Sequence, residues 1–251
     1  IMSAEYLFLE ECKKLLNNFI VNEPKLTEYL KKSYDKIDSE LRKKIIDLNN
    51  ISVCPYCNRN YINSTHKMLH CNNCNQDLFV IDEVEKECPG CNQEINGQTK
   101  VVNTAQLDHF FPKDSYPLFA VSFYNLIPSC YSCNHVKSNK DLEYSPYDTS
   151  FLFDDVKFTY IPKSTDKIEI KIDSRNPDFK NGIRILGIEE LYQSHIDVVN
   201  ELIWKKEVYT KSYRDGLSQI LNQTNLELST AEVNRFITGH YTDKVNYGKR
   251  P

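Results

Sequence analysis

Residues 106–140 read QLDHFFPKDSYPLFAVSFYNLIPSCYSCNHVKSNK. Asp108-His109 closes a stretch of strand character, VVNTAQLDHFF, and a loop marked by Pro112 and Pro117 leads to Asn125. Cys130-Tyr-Ser-Cys133 then runs directly into Asn134, His135 and Lys137. Two cysteines two residues apart form a tight knuckle whose thiolates can face one ion. The order therefore predicts strand, loop and metal knuckle, with a helix from Cys130 to Asp141. Its completion depends on a partner knuckle, and Cys54-Pro-Tyr-Cys57 stands far upstream.

The cysteines work outward from there. Of nine, eight fall into four CxxC pairs: Cys54/Cys57, Cys71/Cys74, Cys88/Cys91 and Cys130/Cys133. A secreted disulfide framework seldom consists of such pairs alone, so thiolate-bound zinc in a reducing compartment is expected, with two structural Zn²⁺. Nested pairing puts Cys54, Cys57, Cys130 and Cys133 on one ion and Cys71, Cys74, Cys88 and Cys91 on the other. Sequential pairing, Cys54 to Cys74 and Cys88 to Cys133, is the rival. Nesting is preferred because the outer ion then pins the helix against the preceding strand. Each structural zinc can contribute on the order of 10 kcal/mol of folding free energy. Cys12, amid Leu9, Leu15, Leu16 and Phe19, reads as a small core residue.

The chain has 251 residues, 40% hydrophobic and 26% charged, which suits a soluble globular protein. No apolar run approaches a membrane span, and IMSAEYLFLEECKKLL has no secretion signal, so a cytoplasmic protein without membrane contact is expected. A net charge of −4 is awkward for a lone nucleic-acid binder, because phosphate affinity comes mainly from Lys and Arg. DNA contact would depend on local basic patches, a metal or a partner.

The predicted fold class is α+β. Residues 1–50 form an N-terminal helical segment, with helices over 3–20 and about 26–48 and Pro24 at the join. Residues 51–150 form the central domain, carrying an inserted zinc ribbon over 63–103. A β-hairpin is expected within 151–180, from the alternation in VKFTYIPKSTDKIEIKID. Residues 181–251 are a C-terminal helical segment, with one long pattern after Gly187 and a last helix capped by Ser229 and Glu232.

Hydrolysis of a phosphodiester needs an activated water, neutralisation of phosphate charge and stabilisation of the leaving oxygen. Asp108 is a hard oxygen ligand suited to Mg²⁺ or Mn²⁺. His109 suits a general base, and as its strand neighbour points to the opposite side unless a bulge or twist intervenes. Asn134 offers an amide oxygen as second ligand, Asn125 can hold the loop and the imidazole, and Lys137 can reach a phosphate of the nucleic acid.

These residues resemble the HNH, or ββα-metal (His-Me finger), endonucleases of the H-N-N branch. The likeness covers about residues 52–142. It implies a ββα core, one catalytic Mg²⁺ or Mn²⁺ on Asp108 and Asn134, His109 activating water, Asn125 positioning the loop, and cleavage of DNA. The ribbon insertion departs from a minimal unit, and His135 competes with Asn134 for the ligand role. More distantly, an HNH unit with long helical flanks is similar to bacterial defence nucleases, including the HNH subunits of Septu-type anti-phage systems. That likeness implies an ATPase partner, with residues 1–48 and 181–251 as docking surfaces.

Blander readings compete. The four reacting residues could belong to a zinc-stapled binding module without catalysis. CPYC and CPGC admit a thiol-redox protein, although such proteins need one reactive pair rather than four. His66 and His70 have helical spacing and read as exposed polar residues. His195 and His240 read as surface or capping groups. Lys205, Lys206, Lys211 and Arg214, interleaved with Trp204, Tyr209 and Tyr213, suit either a nucleic-acid track or a solvated face over an aromatic core stripe.

Overall fold

The computed structural model describes residues 8, 11–12, 24–62, 65–79, 87–94, 99–148, 156–164, 167–223 and 228–241. The chain divides into two units, residues 1–151 and 152–250. The helix expected over 3–20 lies outside the described residues except at Phe8, Glu11 and Cys12, which are helical, with Cys12 half-buried.

In the first unit the expected helix over 26–48 is two: α1, Pro24–Asp35, and α2, Ser39–Leu48. Asp38 breaks the run. It takes extended backbone angles and its carboxylate accepts the Leu41 N–H at 2.7 Å, an N-cap that satisfies a donor the new helix leaves open. Pro24 opens α1 rather than marking a join, since a proline costs nothing where no N–H is needed. Ile45 and Ile46 are the buried side of α2.

The ribbon region is a three-stranded antiparallel sheet in the order β2-β1-β3, with β1 Thr65–His70, β2 Asp77–Phe79 and β3 Thr99–Asn103. His66 and His70 thus lie on a strand and not a helix. The His70 ring sits 2.9 Å from the Asp77 carboxylate across the β1–β2 pair. Asn103 at the end of β3 donates to the Ser39 carbonyl at 3.1 Å, tying this sheet to α2.

Next comes an antiparallel pair, β4 Gln106–His109 and β5 Leu126–Ser129, with Asp108 opposite Ile127 and His109 opposite Leu126. Between the strands the chain makes two short 3₁₀ turns, Pro117–Phe119 and Phe123–Asn125. Helix α3, Tyr131–Lys137, follows β5 at once. It stops earlier than the expected Asp141, because Ser138 turns to φ 48°. Leu107, Phe110, Phe111, Phe119, Leu126 and Ile127 form the core under this β-β-α run.

The second unit is built on a hairpin, β6 Val156–Ser164 and β7 Lys167–Ser174. Helices α4 (Pro177–Leu186) and α5 (Ile188–Tyr192) meet at Gly187, whose φ of 61° is the left-handed turn that ends one helix and opens the next. The single long pattern expected after Gly187 is broken into α5, a 3₁₀ turn over Gln193–His195, α6 (Ile196–Val208) and α7 (Lys211–Gln223). Side chains at the first break are claimed by the hairpin. Gln193 exchanges two hydrogen bonds with Ile170, at 2.8 and 3.1 Å, and Glu189 takes the Ile172 N–H at 3.0 Å. Otherwise those β7 groups would stand as an open strand edge. Ser229 and Glu232 cap α8, Thr230–Thr238, in the reciprocal way the sequence predicts. Trp204 and Tyr213 are 59% and 51% exposed, so they form no core stripe. No helix among the described residues is long and apolar enough to cross a membrane.

Candidate functional site

Two sets of four cysteines converge, and the grouping is the nested one: Cys54, Cys57, Cys130 and Cys133, and Cys71, Cys74, Cys88 and Cys91. Within each set the sulfurs lie within 4.8 Å of one another. Sulfur–sulfur separations of 3.9 Å (Cys57–Cys130), 3.7 Å (Cys71–Cys91) and 3.6 Å (Cys74–Cys88) can be compared with a tetrahedral zinc. Zn–S bonds of about 2.3 Å give such a tetrahedron edges of about 3.8 Å. None of the eight is in a disulfide, and both sets fit zinc.

Three of the four knuckles share one backbone design. Asn58, Asn75 and Asn92, each directly after the second cysteine, take φ of 49°, 58° and 56°. Asparagine tolerates this left-handed region better than other side-chain-bearing residues. The turn lets each Asn N–H reach the carbonyl of the first cysteine, at 2.8, 2.8 and 2.7 Å. Backbone N–H groups of Cys74 and Asn73 point at the Cys71 sulfur and pull its pKa down to about 6, which favours the thiolate that a metal needs. The fourth knuckle differs. Cys130 is extended and serves as N-cap of α3, so the residue after Cys133, Asn134, continues as helix.

That difference aims the side chains of α3 at β4. Gln106 and Asp108 share one face of β4, since alternate strand residues point the same way. Asn134 donates to the Gln106 side chain at 3.3 Å. One turn on, the Lys137 ammonium lies 3.1 and 3.3 Å from the two Asp108 carboxylate oxygens and 2.6 Å from the His109 carbonyl. Lys137 is 0% exposed and Asp108 3%. Lys137, expected at a phosphate of the nucleic acid, is therefore placed inside, as the counter-ion of Asp108. Tyr56, the residue between Cys54 and Cys57, donates its hydroxyl to Asp108 at 2.6 Å. Burial raises the Asp108 pKa, with Lys137 and Tyr56 pulling the other way; burial likewise lowers Lys137 and raises Tyr56.

His109, the next residue of β4, makes a separate set of contacts. Its Nε2 is 2.9 Å from the Ala120 carbonyl. A carbonyl only accepts, so Nε2 carries the proton and Nδ1 is left with the lone pair. Burial pushes the imidazole pKa down to about 4, and the charges of Lys113, Lys137 and Arg42 push the same way against the Ala120 hydrogen bond. The ring is neutral at ordinary pH. Tyr34 of α1 meets it edge-on, centroids 4.3 Å apart, while its hydroxyl donates to the Leu107 carbonyl at 3.0 Å.

Asn125 is 0% exposed and uses its whole amide on the loop. Its Oδ1 accepts the Phe111 N–H at 2.7 Å, and its Nδ2 donates to the Phe111 and Phe119 carbonyls at 3.1 and 3.0 Å. Phe119 adjoins Ala120, the residue whose carbonyl holds His109. His135 is exposed and stacks on Tyr131, with ring centroids 5.7 Å apart.

Sequence reasoning missed Tyr34, Arg42, Tyr56, Gln106 and Lys113. Tyr56 had a signal, lying inside a metal knuckle. Gln106 had one too, two residues from Asp108 on a strand. Tyr34 and Arg42 had none, since only helix packing brings them to His109.

Over 69 residues the chain is 32% identical to the Septu protein PtuB of Bacillus thuringiensis. The match covers 28% of this chain and spans about a quarter, 26%, of that protein's length. No family profile matches the chain, and no solved structure matches it.

Proposed function

We propose that this chain is a metal-dependent HNH-type endonuclease that hydrolyses phosphodiester bonds in DNA, acting in the cytoplasm in anti-phage defence beside an ATPase partner. The defence role rests on the partial likeness to PtuB. The chemistry rests on one observation above all. His109 is half-buried, its Nε2–H is held by the Ala120 carbonyl, and its Nδ1 therefore offers a lone pair.

In this reading Nδ1 of His109 accepts a proton from water as the water oxygen attacks phosphorus, and the bond from phosphorus to the 3′-oxygen breaks. Asn125 keeps the loop, and so the imidazole, in place. Asp108 and Asn134 supply a carboxylate and an amide oxygen, a donor pair suited to Mg²⁺ or Mn²⁺. The Lys137 ammonium on Asp108 is a stand-in for such a cation: the carboxylate already holds a positive group, and Lys137 would have to yield part of its place. A bound Mg²⁺ would neutralise phosphate charge and stabilise the leaving 3′-oxygen.

The test is plasmid cleavage with Mg²⁺, Mn²⁺ or chelator, on wild type and His109→Ala side by side. Cleavage by wild type with Mg²⁺ or Mn²⁺, lost in the variant and with chelator, supports the reading. Equal rates in both proteins would remove His109 from its role. The enclosure of Asp108 by Lys137 and Tyr56 favours a second reading, a zinc-stapled binding module without catalysis. It predicts no cleavage of DNA or RNA by wild type with either metal.

A further inference from the structure

Two cations that neither motif nor resemblance assigns, Arg42 of α2 and Lys113 of the loop after β4, sit around the Tyr34 ring beside the imidazole. The Arg42 guanidinium of α2 sits 4.6 Å from the centre of the Tyr34 ring, and the Lys113 ammonium 5.1 Å from the same centre. That ring is the one packed edge-on against His109 at 4.3 Å. Arg42 is half-buried, and its hydrogen bonds are to neutral groups: Nε to the Ile37 carbonyl at 3.0 Å and Nη1 to the Tyr34 hydroxyl at 2.9 Å. A guanidinium carries five N–H donors in a planar fork. Two are used here, and among the described residues no carboxylate pairs with Arg42. Among the same residues Lys113 has only a distant one, Asp35 at 3.9 Å.

A cation stripped of part of its water and given no counter-ion costs free energy unless an anion completes it. Buried Lys137 and half-buried Lys31 and Lys43 in this unit each have a carboxylate partner: Asp108, Asp114 at 2.8 Å and Asp47. Arg42 stands apart from that habit. Its fixed fork is the shape that grips two oxygens of one phosphate, and Tyr34 holds it in one pose.

We propose that Arg42 and Lys113, arrayed around Tyr34, form a subsite for a backbone phosphate of duplex DNA beside the group cleaved at His109. This deepens the nuclease reading and rests on it for the identity of the anion. The N-terminal helices would then build part of the substrate site, and would not serve only to dock a partner.

The experiment is binding of a fluorescein-labelled 20-base-pair DNA duplex, by anisotropy over a range of salt concentrations without added Mg²⁺. Wild type is compared with Arg42→Gln, Arg42→Lys and Lys113→Gln. Losing one phosphate contact lowers the slope of log K against log salt by about 0.9. Arg42→Gln and Lys113→Gln should each show that decrease and bind roughly ten-fold more weakly; Arg42→Lys should restore the slope but not the full affinity, because an ammonium cannot grip two oxygens. In the cleavage assay the Gln variants should raise KM more than they lower kcat. Unchanged slope and affinity in both Gln variants overturn the subsite, as does a wild type that binds no duplex. Arg42 also supports the turn after α1, so if Arg42→Gln loses zinc or cooperative unfolding, Lys113→Gln decides alone. Failure of the nuclease reading would show separately, as duplex binding by wild type without cleavage.

Discussion

The two four-cysteine sites are built from the same spacing and serve different ends. Cys71, Cys74, Cys88 and Cys91 lie close together in the chain, Cys74 is exposed and Cys91 half-exposed. Their site holds a ribbon together. Cys54, Cys57, Cys130 and Cys133 are all buried and join residues 73 apart. This outer site fastens Tyr56 to Asp108 on one side and starts α3 on the other, so that Lys137 and Asn134 face β4. One motif thus acts as a local clip where its ligands are near in sequence. It acts as the keystone of the candidate active site where they are far apart. Closing a longer loop also removes more entropy from the unfolded chain, although the gain grows only logarithmically.

The contrast can be broken most severely at Cys130. Cys130→Ser should reduce bound zinc from about two ions to about one per chain and abolish cooperative unfolding of the first unit, read by metal analysis and circular dichroism. If that variant keeps both ions and its unfolding transition, the outer site is no keystone. Next is Lys137→Met, which leaves Asp108 buried without its cation and should cost about 3–5 kcal/mol in urea unfolding, largely recovered by adding Asp108→Asn. Asn125→Ala empties three loop hydrogen bonds and should cost about 2–4 kcal/mol, with a cleavage defect from the loosened imidazole.

Cys74→Ser sharpens the comparison from the other side. It should also release about one zinc, yet leave the unfolding of the core cooperative and the midpoint lowered only slightly. The last effect concerns pH. His109 has a folded pKa near 4, below its ordinary 6.5, so the folded state binds fewer protons between those values. Its stabilising contribution is complete above 6.5 and is lost as pH falls toward 4, at no more than about 1.4 kcal/mol per pH unit. For the same reason the acid limb of kcat/KM should lie near pH 4–5. A limb at 6.5 in protein that still holds its zinc would contradict the half-buried, neutral ring.

Much of the first unit was legible as spacing. Four CxxC pairs announce zinc because ligand geometry is local, and the strand at Asp108, the helix after Cys130 and the hairpin over 156–174 follow from short-range pattern. Element ends were less legible, since they hang on single residues: Asp38 capping α2, Ser138 turning out of α3, Gln193 drawn to β7. Lys137 misled for a different reason. Lysine is almost always exposed, and only a carboxylate and a carbonyl waiting at the right depth keep it inside.

By itself the amino-acid sequence determined the metal-binding pairs, the order strand, loop, metal knuckle and helix, and the identity of the four residues proposed for chemistry, because each depends on neighbours a few positions away. Tertiary structure alone chose the nested cysteine grouping over its sequential rival, put Lys137 on Asp108 and Tyr34 against His109, and left Arg42 by that Tyr34 ring with no carboxylate among the described residues. Those outcomes depend on which distant surfaces pack together, and packing energy is shared among many weak contacts that no short stretch of sequence encodes.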